Sequence, residues 1–381
     1  MKIYFAFIYY LKAALKKIKA KINFSISYLN DRDFMQIYFA FIYYFQVILR
    51  EFRKTFNLMH GIPFQPLLKF DEFFNSETEH PEILYLGDSV VERIAKEDSD
   101  QRTLGQMVVA EMFPKYKVGV ISFSAYHSVV YYALLKGLEV TKRRPKVVIL
   151  PINIRSFSPQ WDLRPRWQYK EELISFEAYR KSGAQIIRNL FDDRYFVPRY
   201  LQNKYRSTRA NYPLSPYETI GQFLDTIASS PETEESRTFR KQQIFIFNYA
   251  HPLAVENRKL VAITEILNFL INSGIKIFIY ITPINVDAGV KYVGEEIKNQ
   301  ILTNIHVVEN VLSAYQRNSK FSYSNWCVKF SSDFFFYEDL ATEHLNQNGR
   351  LKLAKLISHE VALLLNSDGE EKIDKGLPEE T

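Results

Sequence analysis

From about residue 80 onward, the chain alternates short apolar runs with segments of helical periodicity. Apolar runs at 83–87, 117–124, 146–153 and 275–285 predict buried strands, and WCVKF at 326–330 predicts a fifth. Helical patterns lie between them, including an amphipathic segment that ends at Gly274 and a long one that follows NQNG at 346–349. Continuous apolar strands separated by helices predict an α/β fold, in which helices cover both faces of a parallel sheet.

Two segments interrupt or end this alternation. Residues 155–250 are rich in Arg, Tyr, Pro and polar side chains, and we predict a helical and irregular insertion there, acting as a lid or substrate subdomain. Residues 366–381 are acidic and contain Gly and Pro, which predicts a disordered tail. The main domain is therefore expected to span residues 80–365.

The N-terminal segment, residues 1–60, is aromatic and basic, and the octapeptide IYFAFIYY occurs in it twice, at 3–10 and 37–44. Each apolar run around these copies is shorter than the ~20 residues that a membrane-spanning helix needs. Tyr-rich, Lys-flanked helices suit the membrane interface, which predicts membrane association. The alternatives are a helical pair packed on a cytoplasmic domain, or a start-site artefact in which translation begins near Met35.

The charge of the chain is concentrated in this segment. Residues 1–60 carry ten Lys or Arg against three Asp or Glu, a net charge of +7, while the rest carries 39 positive and 40 negative charges. A near-neutral main domain argues against nucleic-acid binding, which needs a basic face within the domain. The single cysteine, Cys327, excludes an internal disulfide framework and a cysteine-based metal cluster. Without a phosphate-binding glycine loop, a metal-ligand histidine pair or a dinucleotide fingerprint, we expect neither a metal nor an organic cofactor.

Three polar residues stand where chemistry is expected in such a fold. Ser89, in LGDSV, follows the first predicted strand, Asn153, in PINIRS, ends the third, and His344, in EHLNQNG, precedes the last helix. A serine nucleophile needs a base such as imidazole, and an asparagine amide can donate to an oxyanion. Each also has a structural interpretation, since Ser89 and Asn153 suit caps and His344 suits a helix start.

In this order, the three motifs resemble those of the SGNH (GDSL-type) hydrolase superfamily, over residues 80–365 without the insertion. The resemblance implies a flavodoxin-like three-layer α/β/α sandwich with about five parallel strands. It also implies that Ser89 is the nucleophile, that His344 is the general base, and that Asn153 donates to the oxyanion together with the Ser89 backbone N–H. The family contains esterases, lipases, carbohydrate deacetylases and related O-acyltransferases.

The chain departs from the family pattern at the oxyanion positions. Where the family has a glycine after the second strand, ISFSAYHS offers Ser124 and Ala125, and either backbone N–H could donate to the oxyanion; we assign the role to Ala125. The family's Gly-x-Asn block has Pro151 in place of its glycine.

The family's Asp-x-x-His block is also altered, because Ala341 stands three residues before His344. Asp339 is our candidate for the carboxylate that orients the imidazole, on a loop two residues longer. Glu343 is expected to point away on a regular backbone, and Glu338 or a Ser–His dyad that uses a backbone carbonyl remain as alternatives.

Aromatic and basic residues cluster just after Asn153. Most aromatic residues of the chain are expected in the core, but Arg155 and Trp161, with Phe157 and Trp167, are candidates for stacking on a sugar or holding an anionic group. His127 is expected on the surface or in a pocket wall.

Three functions follow from these residues and this resemblance. The first is a serine esterase or deacylase acting through an acyl-enzyme on an O-acylated carbohydrate or lipid. The second is an O-acyltransferase that passes the acyl group to a polysaccharide. The third is a catalytically impaired relative that serves in binding or assembly. The sequence does not indicate an oligomeric state.

Overall fold

The computed structural model describes residues 65–77, 80–164, 167–180, 205–207, 209 and 212–370, all within one compact unit of the chain. The predicted N-terminal segment 1–60 and residues 371–381 of the predicted tail lie outside these ranges. The prediction of membrane association by residues 1–60 therefore stays a prediction. Within the described ranges, no helix is both long enough and apolar enough to cross a bilayer.

A five-stranded parallel sheet forms the centre of the described domain. Its strands are β1 (Ile83–Gly87), β2 (Val118–Ser122), β3 (Val147–Ile152), β4 (Lys276–Ile281) and β5 (Phe321–Asn325), in the order β2-β1-β3-β4-β5. This is the strand order of flavodoxin-like folds. The α/β prediction with a parallel sheet of about five strands is confirmed.

Two hydrophobic cores lie on opposite faces of this sheet. In β1, Leu84 and Leu86 belong to the first core, whereas Ile83 and Tyr85 belong to the second. This alternation follows from the two-residue repeat of a strand, and it explains why β1, β3 and β4 are apolar on both faces, apart from Lys276 at the start of β4.

Twelve α-helices are described around the sheet. They are α1 (Gln65–Asn75), α2 (Ser89–Glu92), α3 (Leu104–Met112), α4 (Ser128–Leu135), α5 (Pro159–Leu163), α6 (Lys170–Arg180), α7 (Ile220–Ala228), α8 (Glu234–Tyr249), α9 (Arg258–Asn272), α10 (Val286–Val293), α11 (Glu295–Ser313) and α12 (Gln347–Glu370). Short 3-10 helices occupy Lys136–Glu139, Ile154–Phe157, Tyr205–Ser207 and Ser332–Phe334. Helices α4, α9 and α11 cover the first core, and α3 and α12 pack together over the second, which gives three layers.

The fifth strand is not where the sequence pattern placed it. The predicted strand at 326–330 is wrong, because β5 is Phe321–Asn325, the preceding segment FSYSN. This edge strand pairs only with β4, and four of its five residues are only partly buried, so serine is tolerated and the apolar signal is weak. Trp326 and Cys327 are buried after the strand has ended, and they produced the misleading apolar run.

The predicted insertion and tail also differ from the expectation in part. Within 155–250, helix α8 buries Phe245, Phe247 and Tyr249 in the first core, so this part belongs to the main domain. Helix α12 continues to Glu370, which corrects the first five residues of the predicted disordered tail.

Candidate active site

The polar residues that follow β1 and β3 lie at one position on the carboxyl edge of the sheet. Strand β1 lies between β2 and β3, so the chain leaves β1 toward one neighbour and later returns to the other. Crevices at such a reversal of strand order are where open α/β sheets bind ligands. Ser89 follows β1 and Asn153 follows β3, so both lie at this reversal.

Local packing and capping fix the position of Ser89. A Cβ on Gly87 would lie 2.4 Å from Cγ2 of Val91, so only glycine lets α2 turn back so closely on the end of β1. Asp88 caps α2, and its Oδ1 accepts a hydrogen bond from the backbone N–H of Val90 at 2.8 Å. Ser89 is therefore the first residue of α2, with 7% of its surface exposed.

The imidazole of His344 lies next to this serine. Its Nε2 is 3.0 Å from the Ser89 Oγ, within the range of a hydrogen bond, across 255 residues of sequence. One face of the ring packs on Phe336, with the centroids 5.6 Å apart. Burial lowers the pKa of His344 to about 3, with smaller contributions from the positive charges of Arg155 and Arg93. The imidazole is therefore neutral near pH 7, which is the state that can accept the proton of Ser89.

The other ring nitrogen of His344 faces a hydroxyl and not a carboxylate. Its Nδ1 is 3.4 Å from Oγ1 of Thr342, which also accepts the backbone N–H of His344 at 3.0 Å. When the Ser89 hydroxyl donates to Nε2, Nδ1 must carry the ring proton and donate it to Thr342. A neutral oxygen at 3.4 Å fixes this tautomer only weakly, since the distance is long for a hydrogen bond.

The predicted orienting carboxylate, Asp339, has other partners. Its Oδ1 accepts a hydrogen bond from Lys291 at 2.8 Å, and its Oδ2 accepts from both Lys241 and Tyr292. Partial burial raises the pKa of Asp339, but these three hydrogen bonds outweigh it and the pKa falls below its usual value. Both oxygens are thus engaged away from His344, which corrects the sequence prediction.

Glu343 takes part in a buried network beside the histidine. Its side chain is 0% exposed, and its Oε1 accepts a hydrogen bond from the Tyr249 hydroxyl. Its Oε2 lies 2.9 Å from Nη2 of Arg155, as an ion pair outside hydrogen-bond geometry. Burial lowers the pKa of Arg155, but the charges of Glu343, Tyr249 and Asp88 together outweigh it and raise the pKa above its usual value. The guanidinium that was predicted to bind substrate is therefore already paired with Glu343.

Asn285 anchors the loop that carries the histidine. Its Nδ2 lies 3.2, 3.0 and 3.2 Å from the backbone carbonyl oxygens of Tyr337, Glu338 and Leu340. Its own backbone N–H donates to the carbonyl of Thr342 at 3.1 Å. One buried amide after β4 thus joins the sheet to the segment before His344.

The sequence interpretation did not assign roles to Asn285 or Thr342. A signal for Asn285 was present, because the tripeptide Pro-Ile-Asn occurs at 151–153 and again at 283–285, at the carboxyl ends of two adjacent strands. No comparable pattern marks Thr342, whose hydroxyl becomes relevant only because the loop folds toward His344.

Asn153, the predicted oxyanion donor, bonds to the carboxylate beside Ser89. Its Nδ2 donates to Oδ2 of Asp88 at 3.1 Å, and its Oδ1 accepts from the backbone N–H of Arg155 at 3.1 Å. An amide nitrogen carries two hydrogens, so the bond to Asp88 fixes the orientation of the side chain and leaves a second donor. Burial raises the pKa of Asp88 to about 6, although the hydrogen bonds from Val90 and Asn153 oppose this.

Ala125, the predicted backbone donor, has a left-handed conformation with φ of 65°. Tyr169 is the other non-glycine residue at positive φ in the described ranges, and its hydroxyl donates to the carbonyl of Ser124. Such a conformation favours glycine, because a Cβ crowds the following carbonyl oxygen. Ala125 thus has a backbone geometry that favours glycine, three residues after the end of β2.

Trp161, predicted to bind substrate, is 3% exposed and packs against Trp167, with the ring centroids 4.7 Å apart. Lys259 lies 5.9 Å from the centroid of the Trp161 ring. Almost no ring surface remains for stacking on a sugar, which contradicts the prediction.

His127 lines a small pocket, which agrees with the second of its two predicted locations, the surface or a pocket wall. Among the described residues, no group of three His, Cys, Asp or Glu side chains is arranged to hold a metal ion.

The chain has few recognisable similarities to known proteins. No protein-family model matches the chain, and no curated protein sequence matches it. Among solved structures, the chain is similar to a catalytic mutant of Axe2, an acetylxylan esterase from Geobacillus stearothermophilus, with 12% identity and a TM-score of 0.33. That similarity covers 73% of this chain and 93% of the other. A likeness this low assigns neither a family nor an activity.

Proposed function

We propose that this protein is a serine-dependent esterase or deacylase that acts through an acyl-enzyme on an O-acylated carbohydrate or lipid. The 3.0 Å contact between Ser89 Oγ and His344 Nε2, at the carboxyl edge of the sheet, is the observation on which the proposal rests. A nucleophile in hydrogen-bond contact with a neutral base is the arrangement that acyl transfer to serine requires.

In the proposed reaction, Ser89 Oγ attacks the ester carbonyl carbon while its proton moves to Nε2 of His344. The negative charge on the carbonyl oxygen is stabilised by the second Nδ2 hydrogen of Asn153 and by the backbone N–H groups of Ser89 and Ala125. When the tetrahedral intermediate collapses, the bond between the carbonyl carbon and the leaving alkoxide breaks, and the alkoxide takes the proton from His344. Water, deprotonated by His344, then attacks the acyl-enzyme, and Ser89 leaves with the proton returned to it.

One observation favours a second candidate, a catalytically impaired protein that serves in binding or assembly. The Nδ1 of His344 faces the neutral hydroxyl of Thr342, whereas the three residues bonded to Asp339 hold that carboxylate elsewhere. Loss of the orienting carboxylate lowers turnover by orders of magnitude without abolishing it. Slow ester hydrolysis that depends on Ser89 would therefore support the esterase, whereas the absence of Ser89-dependent hydrolysis would support the binding or assembly protein.

The test is hydrolysis of p-nitrophenyl acetate by the wild type, by Ser89→Ala and by His344→Gln. Ser273→Ala is the matched control, since Ser273 directly follows α9 and precedes β4, at the opposite edge of the sheet. We expect activity and fluorophosphonate labelling in the wild type and the control, and neither in Ser89→Ala. If the wild type hydrolyses no faster than Ser89→Ala and takes up no label, the esterase proposal is refuted. Acyl transfer to an added oligosaccharide in preference to water would identify a transferase.

A further inference from the structure

A small recess opens beside Asp88 and Asn153, on the side of the sheet covered by α4 and α9. We call it the polar recess, and its polar lining includes Asp88, His127, Tyr131, Asn153 and Ser156. It measures about 250 Å³ with the open solvent at its mouth, and its interior has room for about one water-sized group. None of the residues that line it is Lys or Arg.

Two buried polar atoms of the recess lining have no hydrogen-bond partner in the described part of the chain. They are the hydroxyl oxygen of Tyr131, a residue 3% exposed, and Nδ1 of His127, a residue 2% exposed. Buried polar atoms in folded proteins almost always have a partner, because an unmade hydrogen bond in the interior is costly. Each atom therefore calls for a hydrogen-bond partner, and the recess that both residues line is where one small group would supply it.

The chemistry of that group follows from the tautomer of His127. Its Nε2 lies 3.2 Å from the backbone carbonyl oxygen of Trp167, and a carbonyl can only accept, so Nε2 carries the proton. Burial, together with the charges of Lys259 and Arg258, lowers the pKa of His127 well below its usual value, so the ring is neutral. Its Nδ1 consequently offers a lone pair, and the bound group must donate a hydrogen bond to it.

Charge excludes the ionic ligands. An anion would meet the carboxylate of Asp88 and the lone pair of His127, without a lysine or arginine in the lining. An ammonium group can donate to His127 but offers no acceptor for the Tyr131 hydroxyl proton. A hydroxyl group can donate one hydrogen bond to His127 Nδ1 and can accept another from the Tyr131 hydroxyl, so it matches both partners.

We propose that the polar recess binds one neutral hydroxyl group of the ester substrate, which donates to His127 Nδ1 and accepts from the Tyr131 hydroxyl. This inference rests on the proposed function, with Ser89 as the nucleophile. It assigns the substrate to the esters of polyols and carbohydrates, and it makes Tyr131 and His127 determinants of specificity. Esters that place a methyl group there would leave both polar atoms unpaired, which is the strongest form of discrimination by a binding site.

The first test compares monoacetates of ethylene glycol and glycerol with alkyl acetates of the same heavy-atom count. The wild type is expected to favour the hydroxyl esters roughly tenfold in kcat/KM, and Tyr131→Phe to lose most of that preference. Tyr131→Phe should fold as the wild type does, because it removes an unpaired hydroxyl; its thermal unfolding midpoint checks this. Tyr315→Phe is the matched control, since the Tyr315 hydroxyl bonds to Asn268 and its ring packs on the first residue of β5, at the opposite end of the sheet. A preference that Tyr131→Phe retains in full overturns the inference.

The second test does not depend on turnover. In Ser89→Ala, addition of ethylene glycol or glycerol should shift the nitrogen resonance of His127 Nδ1, assigned by its loss in His127→Gln, and Ser89→Ala with Tyr131→Phe should show a smaller shift. If the wild type cleaves no ester while this shift occurs, the proposed function fails and the hydroxyl site stands. If Ser89-dependent hydrolysis occurs while neither polyol shifts His127, the recess holds only a structural water and the inference is overturned.

Discussion

The neutral environment of His344 Nδ1 leads to a gain-of-function prediction. In the Thr342→Asp variant, a carboxylate replaces the hydroxyl that lies 3.4 Å from Nδ1. The carboxylate can still accept the backbone N–H of His344, as the threonine oxygen does at 3.0 Å. It would also stabilise the imidazolium that forms when Ser89 gives up its proton.

The size of the effect follows from the two kinds of hydrogen bond. A neutral hydrogen bond contributes about 0.5–1.5 kcal/mol, and one to a charged group about 1.5–3 kcal/mol. The difference, about 1–1.5 kcal/mol in the transition state, corresponds to a roughly tenfold higher kcat. Burial of the new carboxylate opposes the gain, so the increase should stay far below the ~10⁴-fold loss seen when a complete triad loses its aspartate.

The assay is the pH dependence of kcat for p-nitrophenyl acetate in the wild type, Thr342→Asp and Thr342→Asn. The asparagine variant has nearly the same shape without the charge, so it isolates the electrostatic effect. A carboxylate beside Nδ1 also raises the pKa of His344 from about 3, and the acid limb of the profile should move to higher pH in Thr342→Asp alone. Equal rates and equal pH profiles for the folded Asp and Asn variants would refute this account of the histidine.

Four further predictions follow from the site. Asp339→Asn should change kcat/KM less than about twofold in the same ester assay, because the carboxylate bonds to lysines and not to His344; a loss of tenfold or more would restore Asp339 as the orienting group. Glu343→Gln should lower the free energy of unfolding in urea by about 3 kcal/mol, because Arg155 would keep a charge without its ion-pair partner; a change below about 1 kcal/mol contradicts this. Ala125→Val should lower that free energy by more than about 1 kcal/mol and Ala125→Gly by much less, since a β-branched side chain is excluded from positive φ; equal effects contradict it. The folded state keeps His344 neutral between pH 6.5 and about 3, where the unfolded chain protonates it, so stability should fall as pH drops through this window; a stability slope that His344→Gln leaves unchanged would show that another group causes it.

The fold was predictable because its strongest signals are local. Strands β1, β3 and β4 are apolar runs, apart from Lys276 at the start of β4, since each lies between two other strands and is covered on both faces. The edge strand β5 was missed, because one of its sides has no partner strand and serines there carry no penalty. Helix α8 was assigned to an insertion, because residues 234–242 at its start are mostly polar and not buried, and only its C-terminal part enters the core.

The candidate site was predictable only as a set of strand-end residues. Sequence order suggested that Ser89, Asn153 and His344 belong together, but the partner of the imidazole was assigned to Asp339 by residue type alone. A carboxylate can lie five residues away in sequence and still face elsewhere, because the loop conformation and not the spacing decides its direction. Asn285 holds that conformation, because its amide nitrogen lies within hydrogen-bond distance of three carbonyl oxygens of the loop.

The sequence by itself determined the α/β class, the positions of the four main strands, and the polar residues that follow them, because hydrophobic periodicity and residue type are properties of local segments. Only the tertiary structure decided which side chains meet. It put Thr342 beside His344, paired Arg155 with Glu343, buried Trp161, and joined Tyr131 and His127 in one recess. These pairings depend on how distant segments pack across the sheet, and no pattern within one segment encodes them.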